Sequence, residues 1–570
     1  MHPLRQPPDI SITKKTGVVY CFFLLLPPWI WVCLDRRVWP WDQADYGYYS
    51  IWLWKYFITS PLDWWDAMML TLRLKTPGLP WLAQFATPLG DLTGNHDHVF
   101  LTIIILISGI SLYFIWSSAR TLFPGNQPLV FLCPLIVAAS PLFLGMNQQF
   151  LVEAPQMMAV CWLIYILSRM DQWPIRRIFW HTAAATLWGC LMKVTFPVYS
   201  IIPLLSIAYH LFSVIRRNPR QWSQGKLYAL DYAVMIFTVL TGFLGAFWIT
   251  KNLESLWLFV QITAQAETGA IYGSAGSFLD KTGFWLNAIG KCYFTGNTII
   301  IFVLLVIILI FLQRKNIKSR LHKRWKNHQS PASSPIFRVW MMSMASFLFA
   351  LVTHSSQANE MSRFLTPILP YACFLIAGFV YFLKGRLPAY CLLALFFIQY
   401  IYIQAYSFNQ YPGSKGVGEY PLRLERSDEK KKEIIKLINM TAAQPECAKR
   451  WIMVGCSVPS LSRSTLNYYL LQNQSARAQD TLILSYDFGE NDLPRLLRQI
   501  KAKRPVYFIT VPSASIPKNM PAGLNLISPS LLSAIESSPW YQKQAGAPSP
   551  NILIYKIRDE SYLPSGNLHK

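Results

Sequence analysis

Charge is what this sequence has least of. Only 14 % of its 570 residues are Asp, Glu, Lys or Arg, against 53 % hydrophobic and 15 % aromatic. Too few polar side chains remain to cover a water-soluble globule of this length, so a membrane must supply part of the surroundings. Acids are scarcer than bases, 28 against 52, leaving a net charge of +24. Such an excess often marks a nucleic-acid binder, but here the Lys and Arg lie mostly between apolar runs, and nucleic acid is not expected as a partner. No Gly-rich phosphate loop follows a β-rich run, which removes a nucleotide fingerprint, and no Cys-x-x-Cys or zinc-ligand spacing occurs. No fixed-period repeat suggests a solenoid. The first apolar run has no small-residue cleavage site after it, so it reads as an uncleaved span behind Lys14 and Lys15. Of ten cysteines, eight lie in or beside apolar runs, where a thiol acts as a small hydrophobe; whether the other two, Cys447 and Cys456, pair stays open.

What the sequence has is long apolar runs. Spanning the hydrocarbon takes about 20 apolar residues. Eleven candidates lie near 16–34, 98–116, 127–144, 154–169, 179–193, 196–213, 231–250, 296–313, 339–354, 364–383 and 388–406. The intervening segments test that count, because cytoplasmic loops should hold the basic excess. With the N-terminus inside, the inner segments carry 21 Lys/Arg against 3 acids, whereas the outer loop 35–97 holds five bases and seven acids. An odd number of spans then leaves the C-terminal part outside. Residues 1–411 are expected to form the transmembrane domain and 412–570 an extracytoplasmic α/β domain, with Pro412-Gly413 at the boundary. In the latter, β-rich runs at Arg450–Cys456, Thr481–Tyr486, Val506–Val511 and Ile552–Ile557 alternate with helical patterns at 429–443, 461–472, 492–502 and 529–537, which predicts a mostly parallel sheet.

The loop 35–97 is too long for a connector. Its stretch 60–74 spaces Trp64, Trp65, Met68, Met69 and Leu72 as an amphipathic helix for the headgroup region. Before it stands Trp39-Pro40-Trp41-Asp42-Gln43-Ala44-Asp45-Tyr46; after it stands Lys75-Thr76-Pro77-Gly78-Leu79-Pro80. Here the sequence resembles the GT-C membrane glycosyltransferases that use polyprenyl-phosphate sugars, a group that includes protein O-mannosyltransferases and the aminoarabinose transferase of lipid A. These commonly carry Asp-Glu-x-x-Tyr in the first outer loop, then a basic or His residue before Pro-Pro. Gln43 departs from the first pattern, and the single Pro77 beside Thr76 from the second. Ala139-Ser140-Pro141-Leu142-Phe143 with Gln149-Phe150-Leu151-Val152-Glu153, and Ser362-Arg363-Phe364-Leu365-Thr366-Pro367, extend the likeness over most of residues 16–406. Each motif alone is weak; four in order on one expected face weigh more. The C-terminal domain shows no comparable likeness.

The resemblance implies a polytopic α-helical membrane protein of GT-C type, an integral multi-pass protein of the plasma (inner) membrane. It would transfer a sugar from a polyprenyl-phosphate donor to a glycan, lipid or protein acceptor on the outer face, with inversion. A multi-pass transporter or flippase of lipid-linked glycans stays as the alternative. Such transfer needs a base for the acceptor proton and cations for the leaving phosphate. By its place in the motif Asp42 is the expected base, with Asp45 as second choice and Glu153 orienting acceptor or sugar. Lys75 and Arg363 are the expected phosphate ligands, with Lys193 and Lys251 in reserve. The plainer readings are that Asp42 caps a helix beginning near Ala44, that Glu153 is a hydrated boundary carboxylate, and that Lys193 and Lys251 snorkel to headgroups. The sequence assigns no cofactor, and Asp42 and Asp45 would share a helix face on which a divalent metal is possible. His96-Asp97-His98 is a poor metal set without further ligands.

Overall fold

A computed structural model describes residues 13–217, 227–264, 276–296, 298–308, 311, 334–383, 386–409, 420–441, 444, 451–473, 482–485, 492–516, 525 and 527–558. The chain opens with α1 (Lys14–Leu34), whose first turn is capped by the Thr13 side chain accepting from the Thr16 amide at 3.3 Å. The loop 35–97 follows with four α-helices, α2 (Trp41–Thr59), α3 (Pro61–Leu70), α4 (Gly78–Ala83) and α5 (Thr87–Thr93). Then come α6 (His96–Leu122), α7 (Gln127–Ala138), α8 (Pro141–Asn147), α9 (Glu153–Arg169), α10 (Ile175–Met192), α11 (Phe196–Arg217) and α12 (Ala229–Ala264). Later helices occupy Phe278–Tyr293, Thr298–Ile308, Pro335–Ser355, Leu369–Leu383 and Arg386–Phe408.

A helix therefore stands at each of the eleven expected spans, but fewer have the length and composition to cross a bilayer. Among the described residues seven qualify, or up to nine if the bent pairs α7–α8 (63°) and Phe278–Tyr293 with Thr298–Ile308 (95°) each count as one. Two of the expected spans fall short for physical reasons. The 17 residues of α9 reach only about 26 Å, against roughly 30 Å of hydrocarbon. The first turn of α10 holds Arg176 and Arg177.

The stretch 60–74 also differs from expectation. Its helix ends at Leu70, and the buried Met68 and Met69 face Trp248 of α12, whose indole donates to the Thr71 carbonyl at 3.0 Å. This helix packs on protein along that face, and Leu72 lies beyond it in a turn with φ 50°.

After the spans, strands β1 (Trp451–Val454), β2 (Leu482–Ser485), β3 (Tyr507–Thr510), β4 (Tyr541–Lys543) and β5 (Leu553–Ile557) form one sheet ordered β2-β1-β3-β5-β4. Helices Glu429–Met440, Arg463–Asn473, Leu493–Lys503 and Ser528–Glu536 accompany it, at the expected places. The sheet is mixed instead of mostly parallel: β1 pairs parallel with β2 and β3, while β5 pairs antiparallel with β3 and β4. Cys447 lies outside the described residues, and with it the pairing with Cys456. One continuous apolar core runs from Leu24 of α1 through Trp39, Phe100 and Phe150 to Tyr468, Phe508 and Ile554.

Candidate active site

Asp42 owes its place to an abrupt helix start. Pro40, with no amide hydrogen to satisfy, precedes α2, and Trp41 takes φ 29°, a left-handed value costly for a side chain of this size. The Asp42 carboxylate makes no capping bond, contrary to the capping reading; it turns to two cations instead. Lys75 Nζ lies 2.6 Å from Oδ1 and Arg363 Nη2 lies 2.9 Å from Oδ2. Lys75 is presented by the turn that Leu72 opens, closed by its own amide on the Leu72 carbonyl at 2.7 Å. Arg363 comes from the 3-10 turn Ser362–Ile368 ahead of Leu369–Leu383.

The array continues inward. Arg363 Nε lies 3.2 Å from Glu153 Oε1, and Lys193 Nζ contacts the same oxygen at 2.7 Å. Glu153 is the first residue of α9, and Lys193 directly follows α10. Charges thus alternate along Lys75, Asp42, Arg363, Glu153 and Lys193, three cations to two carboxylates, with a surplus of one positive charge. Exposure grades the same way: the Asp42 and Lys75 side chains are each 28 % exposed, whereas that of Glu153 is 1 % exposed. The second oxygen of Glu153, Oε2, is buried without a partner among the described residues. A buried unpartnered acceptor is costly, and a ligand hydroxyl would satisfy it.

Burial alone would raise the Asp42 pKa, but Lys75 and Arg363 outweigh it and hold the carboxyl well below the usual range. Burial would likewise lower Lys75, and Asp42 reverses that, so its ammonium is held charged well above the ordinary lysine value. Asp45 moves the other way: burial raises it against the pull of Lys75. It hydrogen-bonds Ser464, near Arg463, and stands beside the array instead of in it.

Lys251 does not join the site. On α12 it meets Asp66 at 3.3 Å, where both side chains are largely exposed, because α12 packs against α3. Among the described residues no group of three or more His, Cys, Asp or Glu is placed to hold a metal ion. Asp42 and Glu153 already face cations, a poor setting for a divalent one. His96 turns to Asp91 at 3.1 Å and His98 to Arg36 at 2.6 Å, leaving Asp97 between them with other partners.

Some of the contacts that hold the site together were not legible in the motifs. Gln43, where the motif has Glu, donates to Gln149 Oε1 at 3.3 Å and accepts the Phe150 amide at 3.4 Å, tying α2 to the segment that delivers Glu153. Lys193 lies 4.1 Å over the Phe364 ring, and the Tyr199 hydroxyl donates to the Phe364 carbonyl at 3.1 Å, which fixes the backbone next to Arg363.

Residues 74–244 match the family described as dolichyl-phosphate-mannose-protein mannosyltransferase. No curated protein matches the chain by sequence. Over 97 % of its length, the chain superposes on all of ArnT from Cupriavidus metallidurans bound to undecaprenyl phosphate, with a TM-score of 0.52 at 13 % identity. The apo state of that protein gives 0.52 at 14 %, again over 97 % of this chain and all of the other. The archaeal oligosaccharyltransferase AglB from Archaeoglobus fulgidus, in complex with an inhibitory peptide and a dolichol-phosphate, gives 0.46 at 11 %, over 88 % of this chain and 70 % of that one. The chain has the GT-C fold of ArnT. Fold and family match bear out the resemblance read from the motifs and the glycosyltransferase class, and they do not favour the transporter alternative.

Proposed function

We propose that the array from Lys75 to Lys193 is the catalytic site, that Asp42 is the base, and that the donor is a polyprenyl-phosphate sugar. The observation that carries this reading is the pair of cations, Lys75 and Arg363, closed on one carboxylate beside a surplus positive charge. A polyprenyl-phosphate sugar is a phosphodiester with one negative charge, matching that surplus. When the bond from the anomeric carbon to the phosphate oxygen breaks, the leaving polyprenyl phosphate gains a second negative charge. Arg363 can grip phosphate with two parallel hydrogen bonds and Lys75 as a compact charge. As they turn to the phosphate they leave Asp42, whose carboxylate becomes more basic when an acceptor O–H or N–H must lose its proton. The acceptor atom bonds to the anomeric carbon from the face opposite the phosphate, a single inverting displacement. Glu153 Oε2 is left to accept from a sugar hydroxyl.

The acceptor is a glycan, lipid or protein. Residues 1–411 form the transmembrane catalytic domain and 412–570 an extracytoplasmic domain, with the N-terminus cytoplasmic in a plasma (inner) membrane. What supports this orientation is the 21-to-3 basic excess in the inner segments. The test is sugar transfer in membranes supplied with a polyprenyl-phosphate donor. Asp42→Asn should lower kcat about 10²- to 10⁴-fold, the range for loss of a general base, at unchanged protein level; transfer at the wild-type rate removes Asp42 from the mechanism.

A further inference from the structure

The catalytic helix α2 does not set its own starting point. Its approach residue, Trp39, is 1 % exposed and is held between the helix Arg463–Asn473 of the C-terminal domain and the rings of Phe100 and Phe150. The Trp39 amide donates to the Tyr469 hydroxyl at 3.1 Å, and its carbonyl accepts from Thr465 Oγ1 at 3.1 Å. Its ring stacks on Tyr468 with centroids 5.1 Å apart and planes 3° from parallel, and on Phe150 at 5.4 Å. Trp39 lies three residues before Asp42, and Phe150 three before Glu153.

The holding helix is itself anchored on the transmembrane side. Asp97, buried at the outer end of α6, accepts from Tyr468 at 2.5 Å, Gln472 at 3.0 Å, Tyr469 at 3.4 Å and Lys431 at 2.8 Å. Tyr469 therefore accepts from Trp39 and donates to Asp97 with one hydroxyl. A second tie reaches the left-handed Trp41, whose indole donates to Ser457 Oγ at 3.0 Å, while the Ser457 amide is fixed by Asn525 at 2.8 Å. These bonds oppose the relaxation that Trp41 would otherwise undergo. Displacing a catalytic group by about 1 Å can cost on the order of 100-fold in rate.

We propose that Thr465, Tyr468 and Tyr469 are positioning residues: through Trp39 they set the start of α2 and so the place of Asp42 against Lys75 and Arg363. This rests on the reading of Asp42 as the base. The C-terminal domain is on this account a working part of the site, whatever it does for the acceptor.

The test uses the full chain with Thr465→Val and Tyr469→Phe, singly and combined, and Thr465→Ser as the variant that keeps the hydroxyl. Backbone amide exchange over residues 38–46 reports the clamp without any need for activity. In the double variant it should quicken about tenfold, with exchange in the body of α6 unchanged; kcat should fall about tenfold at unchanged KM for the donor. Thr465→Ser should stay within twofold of wild type in both. Unchanged exchange over 38–46, or faster exchange with undiminished kcat, overturns the proposal. Should the double variant fail to accumulate, Ser457→Ala asks the same question at Trp41 with the same outcomes. If the wild-type chain transfers no sugar, the proposed function falls, while the exchange comparison still decides whether the clamp exists.

Discussion

Arg363 is the residue that makes five charges into one array. Its Nη2 reaches Asp42 and its Nε reaches Glu153, so one planar group links the half-open end of the site to the buried end. Lysine keeps the charge but, as a compact point charge on a flexible stem, lacks the planar fork that holds both carboxylates in fixed directions. Arg363→Lys should therefore lower kcat/KM about 100-fold, the price of breaking a buried charge array at one member, whereas Lys251→Ala, out on α12 against Asp66, should leave it within twofold. Lys75 governs the pH response. A depressed Asp42 pKa gives stability that is present above the unfolded carboxylate value, about 3.9, and lost only as pH falls through the lower folded value. Asp42 is then already ionised at neutral pH, and the acid limb that it sets in kcat/KM lies well to the acid side. Removing the nearer cation by Lys75→Met raises the Asp42 pKa, so the acid limb should move to higher pH; an unmoved limb in a pH–rate profile contradicts the assigned pairing. Asp42, Lys75 and Arg363 were legible as motif members in order along the chain. Lys251 was not separable from them, because a Lys at the end of a span is common and only packing shows where it points.

At the scale of elements, the sequence is informative where a pattern runs long enough. Among the described residues after 412, four of five strands and the four expected helices stand where the alternation places them. The missing strand, Tyr541–Lys543, has three residues, too few for a period of two to register; it pairs antiparallel with β5, which also runs antiparallel to β3, and the two pairings make the sheet mixed. Docking of helices against one another is less legible, because it depends on where small residues meet large ones. Gly47 of α2 shows this. A Cβ there would come within 2.5 Å of the Tyr468 ring, so α2 and Arg463–Asn473 approach this closely only because position 47 has no side chain. Gly47→Ala improves helix propensity by about 1 kcal/mol, yet overpacking costs about 1–3 kcal/mol. We expect net destabilisation, read as a lower Tm of the detergent-solubilised protein, together with loss of transfer as the ring is pushed off Trp39.

At the scale of the whole molecule, a boundary near residue 412 in composition is not a boundary in packing. Composition separates an apolar part from a polar one, and it cannot reveal that Trp39, Phe100 and Phe150 share a core with Tyr468 and Tyr469. The linker reinforces that union: the Arg36 amide donates to the Glu425 carbonyl at 2.7 Å and the Glu425 amide to Asp35 Oδ1 at 3.0 Å, so the chain after the last span is stitched to the end of the first. Truncation after residue 409 is therefore not the removal of a lid. It takes from Asp97 the donors Lys431, Tyr468, Tyr469 and Gln472 together with the helix that covers it, so the contacts that hold the end of α6 to the rest of the chain are lost. It also exposes the Trp39 and Phe150 rings. Such a chain should accumulate poorly and elute aggregated from size exclusion, even though every helix up to Phe408 is encoded. Asp97→Asn in the full chain keeps two acceptor sites on one oxygen and sheds the buried charge, so it should be milder than truncation. A truncated chain that remained monodisperse, with amide exchange over α2 as slow as in the intact protein, would mean that the helices before residue 409 hold Asp42 unaided.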